Sequence, residues 1–252
     1  MFNEFPRIIP VLLLKNKGLY KGQRFKNLKY VGDPINTVKI FNDKEANELL
    51  IFEVDTSVKN KKPDIDLLRD IASECFMPLS FGGGVNTLKT IEQIIKIGVE
   101  KVYINTAAIF DPNFIKDAVK EFGSSTICCC IDYKTDFFNN HKVYVLSGSK
   151  KVNYSPIDWA IKLEELGVGE IIFNSISKDG TKSGFDFEYF NRLNKKIKTP
   201  LIISGGCSGI SDIKNAISKK IYNMAVGATF VFKGKHSAVL ITYPDSKELG
   251  YE

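Results

Sequence analysis

The sequence contains no apolar run long enough to cross a membrane. A membrane-spanning helix needs about 20 consecutive apolar residues, and the apolar stretches of these 252 residues are all much shorter. The first residues, Met-Phe-Asn-Glu-Phe-Pro-Arg, also lack the basic and apolar regions of a secretory signal peptide. We therefore expect a cytoplasmic protein with no membrane partner.

Histidine and cysteine are too scarce and too scattered to suggest a metal site. The two histidines, His141 and His236, lie far apart, and none of the five cysteines forms a Cys-x-x-Cys pair. Three cysteines, at residues 128–130, are consecutive within an apolar run, as is typical of small core side chains in a strand. The sequence predicts no metal, no cofactor and no disulfide framework.

Acidic residues are fewer than basic ones. Lys and Arg number 35 against 29 Asp and Glu, which leaves a net charge of +6. Scattered lysines on solvated helix faces explain most of this charge, and binding of anionic ligands is the alternative. The densest basic cluster, residues 59–62, has neither interleaved aromatic residues nor a nucleic-acid motif. We expect no nucleic-acid partner.

Short apolar runs rich in β-branched residues alternate with helical patterns along the chain. Such alternation is typical of a parallel sheet whose strands are joined by helices. One helix is predicted to end at Gly98, another to end at Gly123 and a third to be capped by Ser155. Eight strands are predicted, at residues 7–14, 48–54, 77–81, 101–104, 126–131, 170–174, 201–204 and 223–226.

Two segments of the chain resemble each other. Residues 79–110 contain Ser-Phe-Gly-Gly-Gly-Val, a helix and Ile-Asn-Thr-Ala-Ala-Ile-Phe, and residues 202–232 contain Ile-Ser-Gly-Gly-Cys-Ser, a helix and Val-Gly-Ala-Thr-Phe-Val-Phe. This repeat and the eight strands predict an α/β fold, a (βα)8 TIM barrel of two duplicated half-barrels that forms a single domain over residues 1–252. An open doubly wound sheet is the alternative, but Lys-Asn-Lys-Gly follows the first strand where that fold expects Gly-x-Gly-x-x-Gly.

Glycines and small residues follow four of the strands, at the end where such barrels carry their active sites. Glycine lets backbone N–H groups approach an anion, and a helix start favours negative charge. Glycines alone would also suit tight turns, but residues 82–84 and 205–206 are related by the repeat. Asn105, Thr106, Gly227 and Ala228 follow the neighbouring strands. The sequence predicts two phosphate cradles at one mouth, and hence a ligand with two phosphates.

Two aspartates also stand after strands. Asp132 directly follows the apolar fifth strand, where a carboxylate can have a raised pKa and act as an acid or a base. A turn or capping role is the alternative for Asp132. Asp179 and Gly180, in the loop after the sixth strand, either form a turn or face the ligand.

An ordered set of motifs over nearly the whole chain resembles the HisF family, the cyclase subunit of imidazole glycerol phosphate synthase. The resemblance is carried by residues 7–22, 82–85, 104–108, 132–134, 179–186 and 204–206. It implies a barrel that pairs with a HisH-like glutaminase subunit in a heterodimer. Ammonia would enter at the bottom of the barrel, and a bisphosphorylated, ribulose-type sugar would be cleaved and cyclised at the top.

The resemblance also implies roles for individual residues. Lys21 corresponds to a flexible active-site lysine, and Asp132 to one of two catalytic aspartates. One phosphate would be held by Gly84, Asn105 and Thr106, and the other by Asp179, Gly180, Gly206, Gly227 and Ala228. The ammonia gate corresponds to Arg7, Glu48, Lys101 and Glu170. A purely structural ring of salt bridges is the alternative for these four.

The sequence departs from the family at Leu13, which stands where the first catalytic aspartate belongs. Leucine cannot transfer a proton, so half of the acid/base pair is absent. Ser177 and Glu53 also stand at positions where the family has aspartates. The chain is thus most similar to diverged HisF paralogues associated with amidation of surface-glycan sugars, where a separate sugar amidotransferase uses the ammonia. The alternatives are a working cyclase of histidine biosynthesis, with Glu53 as replacement acid, and a non-catalytic scaffold that activates the glutaminase.

Overall fold

The computed structural model describes residues 5–138, 140–234 and 236–250. In chain order the strands are β1 (Arg7–Lys15), β2 (Gly18–Gln23), β3 (Lys26–Gly32), β4 (Leu49–Glu53), β5 (Leu79–Gly82), β6 (Lys101–Ile104), β7 (Ile127–Thr135), β8 (His141–Val145), β9 (Lys150–Lys151), β10 (Ile171–Ser175), β11 (Leu201–Ser204), β12 (Asn223–Val226), β13 (Phe232–Lys233) and β14 (Ala238–Val239).

Eight of these strands close into a parallel barrel. Around the barrel they run β1, β4, β5, β6, β7, β10, β11 and β12, and β12 pairs with β1 again. All eight pairings are parallel. Each barrel strand overlaps one of the eight predicted from the sequence, which confirms the TIM barrel, but β7 runs on to Thr135 and so contains Asp132, which was expected to follow it.

Eight of the nine described helices connect successive barrel strands, and the ninth follows the last barrel strand. They are α1 (Pro34–Asp43), α2 (Ile65–Ser73), α3 (Leu88–Lys96), α4 (Thr106–Phe110), α5 (Pro112–Phe122), α6 (Pro156–Glu165), α7 (Phe187–Asn194), α8 (Ile210–Ser218) and α9 (Ser246–Leu249). The predicted cap of α6 is present, because Ser155 Oγ accepts a hydrogen bond from Asp158 N at 3.1 Å. Within the ranges described, no helix is both long and apolar enough to span a bilayer.

The hydrophobic core has two layers because side chains along each barrel strand alternate between the interior and the helices. The three consecutive cysteines show this alternation. Cys128 and Cys130 belong to the cluster inside the barrel, whereas Cys129 packs in the layer between strands and helices. Burial raises the pKa of all three thiols, so they act as small apolar side chains.

Two antiparallel hairpins interrupt the simple strand-helix alternation, and the sequence did not predict them. The first, β2–β3, follows β1, and the second, β8–β9, follows β7. Arg24, at the tip of the first hairpin, donates from its backbone N to Asp179 O at 2.9 Å and from Nε to Ser177 O at 3.1 Å. The first hairpin is therefore bound to the loop after β10.

The backbone around the two glycine sets follows the predicted repeat. Gly83 (φ +118°) and Gly205 (φ +88°) both adopt positive φ, and a Cβ on either would collide with the backbone of the preceding barrel strand. Asn105 (φ −123°, ψ −79°) and Gly227 (φ −104°, ψ −90°) then start short helical turns with nearly the same backbone conformation. Both halves of the barrel thus build the same local structure.

Candidate active site

A cavity of about 520 Å³ opens at the end of the barrel where the strands finish. Eleven of the residues that the sequence placed at this mouth line the cavity. They are Leu13, Lys21, Gly84, Asn105, Thr106, Asp132, Asp179, Gly180, Gly206, Gly227 and Ala228. The structure therefore brings the two glycine sets, the lysine and the aspartates around one space.

Asp132 lies on β7 inside the barrel, and both of its carboxylate oxygens accept hydrogen bonds. Asn105 Nδ2 donates to Oδ2 at 2.7 Å, and Asn174 Nδ2 donates to Oδ1 at 2.8 Å. Burial raises the pKa of Asp132 to about 6 against the opposing effect of these bonds. A carboxyl with this pKa can take up or release a proton near neutral pH.

Asn174 is a site residue that sequence reasoning missed. It pairs directly with Asp132 across the β7–β10 contact. A polar residue at the end of the sixth predicted strand is the one sequence feature that could have indicated it. The identity of its partner follows only from the closure of the barrel.

Lys21 reaches the cavity from β2 in the first hairpin. Its ammonium is buried and donates to Val11 O. Burial lowers the pKa of Lys21 to about 8, and the Asp179 carboxylate opposes this effect. A Cβ on Gly227 would lie only 2.9 Å from Lys21 Nζ. Glycine at position 227 therefore leaves the space that the lysine occupies.

Asp179 lines the cavity, and its backbone amide is already engaged within its own loop. Its backbone N donates to Ser175 O at 2.9 Å. Burial raises the pKa of the Asp179 carboxyl, and Lys21 opposes this rise. Because a carboxylate repels phosphate, this geometry links Asp179 to Lys21. Gly180 (φ +67°) lets the hairpin approach, since a Cβ there would collide with the carbonyl of Gly22.

The two glycine sets keep the backbone open to the cavity. A Cβ on Gly84 (φ +67°) would lie 2.9 Å from Thr56 Cβ, and Gly206 (φ +99°) has no room for a Cβ. Near Gly84, Thr106 Oγ1 accepts a hydrogen bond from Leu146 N at 3.1 Å. The hydroxyl hydrogen of Thr106 therefore remains able to donate to a ligand.

Leu13 and Glu53 lie on neighbouring strands, and both line the cavity. Leu13 pairs with Phe52 across β1 and β4, whereas Glu53 pairs with the buried outer-layer residue Leu14. The Glu53 carboxylate accepts a hydrogen bond from Asp64 N at 3.2 Å, at the start of α2. Burial raises the pKa of Glu53, and its carboxylate is held by this contact with α2.

Ser177, the other position where the family has an aspartate, does not line the cavity. Its Oγ accepts a hydrogen bond from Thr135 N at 3.2 Å. Ser177 therefore connects the loop after β10 to β7.

At the opposite end of the barrel, the four residues predicted as a ring form one network of ion pairs. Arg7 Nε lies 2.7 Å from Glu48 Oε2, and Arg7 Nη1 lies 2.6 Å from Glu170 Oε2. Lys101 Nζ lies 3.0 Å from the same oxygen of Glu170. Burial opposes ionisation of Glu170, but Arg7 and Lys101 outweigh it and hold the pKa of Glu170 below its usual range. The Glu170 carboxylate is therefore charged, and both carboxylates are paired.

The fold and this geometry define a (βα)8-barrel protein with a buried carboxyl of raised pKa and a buried lysine at its mouth. The family model described as Histidine biosynthesis protein matches residues 7–237. The chain belongs to this family, and its relatives place it among the HisF proteins.

Three relatives illustrate the similarity. The chain is 44% identical over 244 residues (96% of this chain, 97% of the relative) to a Pseudomonas aeruginosa protein provisionally named imidazole glycerol phosphate synthase subunit hisF2. It is 41% identical over 244 residues (96% and 94%) to a Vibrio vulnificus protein provisionally named as subunit hisF3. It is 34% identical over 223 residues (88% and 88%) to imidazole glycerol phosphate synthase subunit HisF of Alkaliphilus metalliredigens. These names describe one chain of an enzyme with more than one subunit.

Proposed function

We propose that this protein is a diverged HisF subunit that receives ammonia from a HisH-like glutaminase for amidation of a surface-glycan sugar. The observation that carries the proposal is Leu13 at the cavity, with the Glu53 carboxylate held by Asp64 N at the start of α2. A missing general acid or base typically slows a reaction by ~10² to 10⁴. The cyclisation that the resemblance to HisF implies lacks one of its two proton-transfer groups here, so the barrel serves another acceptor.

Ammonia delivery is supported by the ion-pair ring and by the surface around it, at the end of the barrel opposite the cavity. All four positions of the ring carry a charged residue, and these residues form ion pairs with one another. Phe5 and Phe76, which are 75% and 84% exposed, precede β1 and β5 at this end. Glu100, also exposed, precedes β6. Exposed aromatic side chains beside charged ones suit a protein partner, and the glutaminase docks on this face.

Binding of a bisphosphorylated, sugar-type ligand is supported by the mouth. Gly84 and Gly206 belong to the two repeated glycine sets, and both line the same cavity. Asp132 and Lys21 remain as groups that can exchange protons with a ligand between them. A separate sugar amidotransferase would complete the reaction with the delivered nitrogen.

Glutamine hydrolysis by a HisH-type glutaminase tests the proposed partnership. We expect this protein to raise the rate at saturating concentration, and Phe76→Glu to abolish the increase. Phe137→Glu is the matched control, because Phe137 is equally exposed and follows β7 at the opposite end of the barrel. A glutaminase rate unchanged by the wild-type protein would remove the ammonia-delivery function.

The cyclase reaction separates this proposal from the histidine-biosynthesis alternative. With excess ammonium salt in place of the glutaminase, we expect negligible imidazole glycerol phosphate formation and no rescue of a histidine auxotroph. Robust turnover that Asp132→Asn abolishes would refute the diverged function. Stimulated glutamine hydrolysis with no ligand bound at the mouth would favour the non-catalytic scaffold.

A further inference from the structure

Tyr103 fills the barrel interior between the ion-pair ring and the cavity. It lies on β6 with its side chain inside the barrel and is 1% exposed. Its hydroxyl donates a hydrogen bond to Glu170, a member of the ring. Tyr103 also lines the cavity at the mouth, which none of the four ring residues does. One side chain thus connects the two ends of the interior.

The aromatic ring of Tyr103 occupies the space along the barrel axis. It packs edge-on against Phe52, with ring centroids 6.1 Å apart and an interplanar angle of 68°. Ile9, Leu50, Ile172 and Ile202 complete the buried cluster around it. In this arrangement, a molecule that enters past the ring of ion pairs meets the phenol before it reaches the cavity.

The contact between Tyr103 and Glu170 can be broken without leaving the carboxylate unpaired. Glu170 is also bound by Arg7 at 2.6 Å and by Lys101 at 3.0 Å. Burial, together with the nearby Cys128 and Glu170, holds the pKa of Tyr103 well above its usual value, so the phenol keeps its proton. A neutral phenol needs only one hydrogen-bond acceptor, and water or a ligand in the cavity can supply it.

We propose that Tyr103 is the gating residue for small polar molecules that pass from the ion-pair ring to the cavity. The passage is closed while the phenol is bound to Glu170 and opens when the phenol turns towards the cavity. That the passing molecule is ammonia rests on the proposed function, whereas the closure of the interior by Tyr103 does not.

Two buried cysteines report how far a reagent has entered the barrel. Cys128 is 0% exposed, lies opposite Tyr103 in the pairing of β6 with β7, and does not line the cavity. Cys130 lines the cavity, and its Sγ lies 3.6 Å from Asp132 Oδ1. A reagent that reaches Cys128 from the cavity must therefore enter the part of the interior that the Tyr103 side chain fills.

Thiol labelling of the isolated protein tests the gate without any partner. Methyl methanethiosulfonate is small and neutral, forms a methyl disulfide with a thiol and releases methanesulfinate, and fragment mass spectrometry locates the label. We expect Tyr103→Ala to speed labelling of Cys128 at least tenfold. Leu28→Ala is the matched control, because Leu28 lines the cavity from β3 in the first hairpin. This variant enlarges the cavity without truncating Tyr103, and it should leave the Cys128 labelling rate unchanged.

Tyr103→Phe provides a second variant of nearly the same shape. It removes the bond to Glu170 and retains the ring, so we expect Cys128 to react about threefold faster than in the wild type. If Tyr103→Ala does not fold, Tyr103→Phe decides the question. Cys128 labelling as fast as that of Cys130 in the wild type, or unchanged in the variants that fold, would overturn the gate.

Glutamine hydrolysis with the HisH-type glutaminase distinguishes the gate from the proposed function. Stimulated hydrolysis with unchanged Cys128 labelling would overturn the gate alone. Faster Cys128 labelling in the variants, with no stimulation by the wild type, would overturn ammonia as the passing molecule and leave the gate in place.

Discussion

Asn174 and Asp132 lie opposite each other on adjacent strands, and the carboxamide Nδ2 of Asn174 donates to the Asp132 carboxylate at 2.8 Å. Gly205 makes room for this arrangement, because a Cβ there would lie 3.0 Å from Asn174 Oδ1. Asn105 holds the other carboxylate oxygen. The orientation of Asp132 is therefore fixed from both sides before any ligand binds.

Removing the Asn174 donor should raise the pKa of Asp132 further. Burial already places this pKa at about 6, and the Asn174 bond favours the ionised form. A hydrogen bond worth about 1 kcal/mol corresponds to roughly 0.7 pKa units. Carbon-13 NMR titration of labelled aspartate carboxyls in Asn174→Ala should show this rise, with the signal assigned by its loss in Asp132→Asn. Asn86→Ala, another cavity asparagine, should leave the pKa unchanged.

Ionisation of Asp132 should cost stability as the pH rises. Its pKa is raised from 3.8 to about 6 in the folded state, so the folded protein holds the proton more tightly than the unfolded chain. The free energy of unfolding of the wild type, relative to Asp132→Asn, should therefore fall between about pH 3 and pH 8 by roughly 3 kcal/mol, at 1.36 kcal/mol per unit. Urea unfolding at several pH values measures the difference, and a constant difference would contradict the raised pKa.

The two cations of the ring should contribute unequally to stability. Arg7 pairs with both buried carboxylates, so Arg7→Met leaves Glu48 without its cation and should cost about 3 to 5 kcal/mol. Lys101 is about one quarter exposed and binds only Glu170, which keeps Arg7, so Lys101→Met should cost less than about 1 kcal/mol. Urea unfolding compares the two variants.

Lys101→Met also distinguishes an ammonia-gating role of the ion-pair ring from a purely structural role. In the complex with a glutaminase, we expect this variant to alter ammonia transfer while the protein stays folded. A loss of stability with normal transfer would assign the ring a structural role only.

Leu13→Asp should restore measurable formation of imidazole glycerol phosphate with ammonium salt. Leu13 is half-buried and lines the cavity, so a carboxylate there is partly hydrated and tolerated. Val11→Asp, two residues lower on the same strand face, is the control and should restore nothing. If Leu13→Asp recovers no activity while anions still bind, the divergence extends beyond one proton donor.

Crystals grown in phosphate or sulfate should contain anions near Gly84 with Thr106 and near Gly206 with Gly227. Gly84→Ala places a Cβ 2.9 Å from Thr56 at a positive φ, so it should weaken phosphate binding in the first cradle about tenfold, the equivalent of one hydrogen bond. The second cradle serves as the internal control. Titration with a bisphosphorylated sugar analogue that shows no saturation would contradict both cradles.

The barrel was predictable from the sequence because its strands and helices are encoded locally. Each strand is a short apolar run, and caps such as Ser155 stand directly beside the helices that they start. The residues around Asp132 and Glu170 were harder to predict. Asn174 is 42 residues from Asp132, and Tyr103 is 67 residues from Glu170, so both contacts depend on the register between strands.

The direction of Glu53 illustrates the same dependence on register. A shift of one residue along a strand moves a side chain from the barrel interior to the helix side. Phe52 therefore lies beside Leu13, and the Glu53 carboxylate is held at the start of α2. The sequence alone did not show which of Phe52 and Glu53 has its side chain next to Leu13, where the absent acid would stand.

Lys21 and the loop that carries Asp179 are joined through the backbone of the first hairpin. A ligand that has to lift this hairpin to enter breaks the bonds from Arg24 to Asp179 O and Ser177 O. The same displacement carries Lys21 away from the Asp179 carboxylate. The hairpin movement that admits a ligand then also separates the Lys21 ammonium from the Asp179 carboxylate. The electrostatic potential of the cavity therefore depends on whether the hairpin is open or closed.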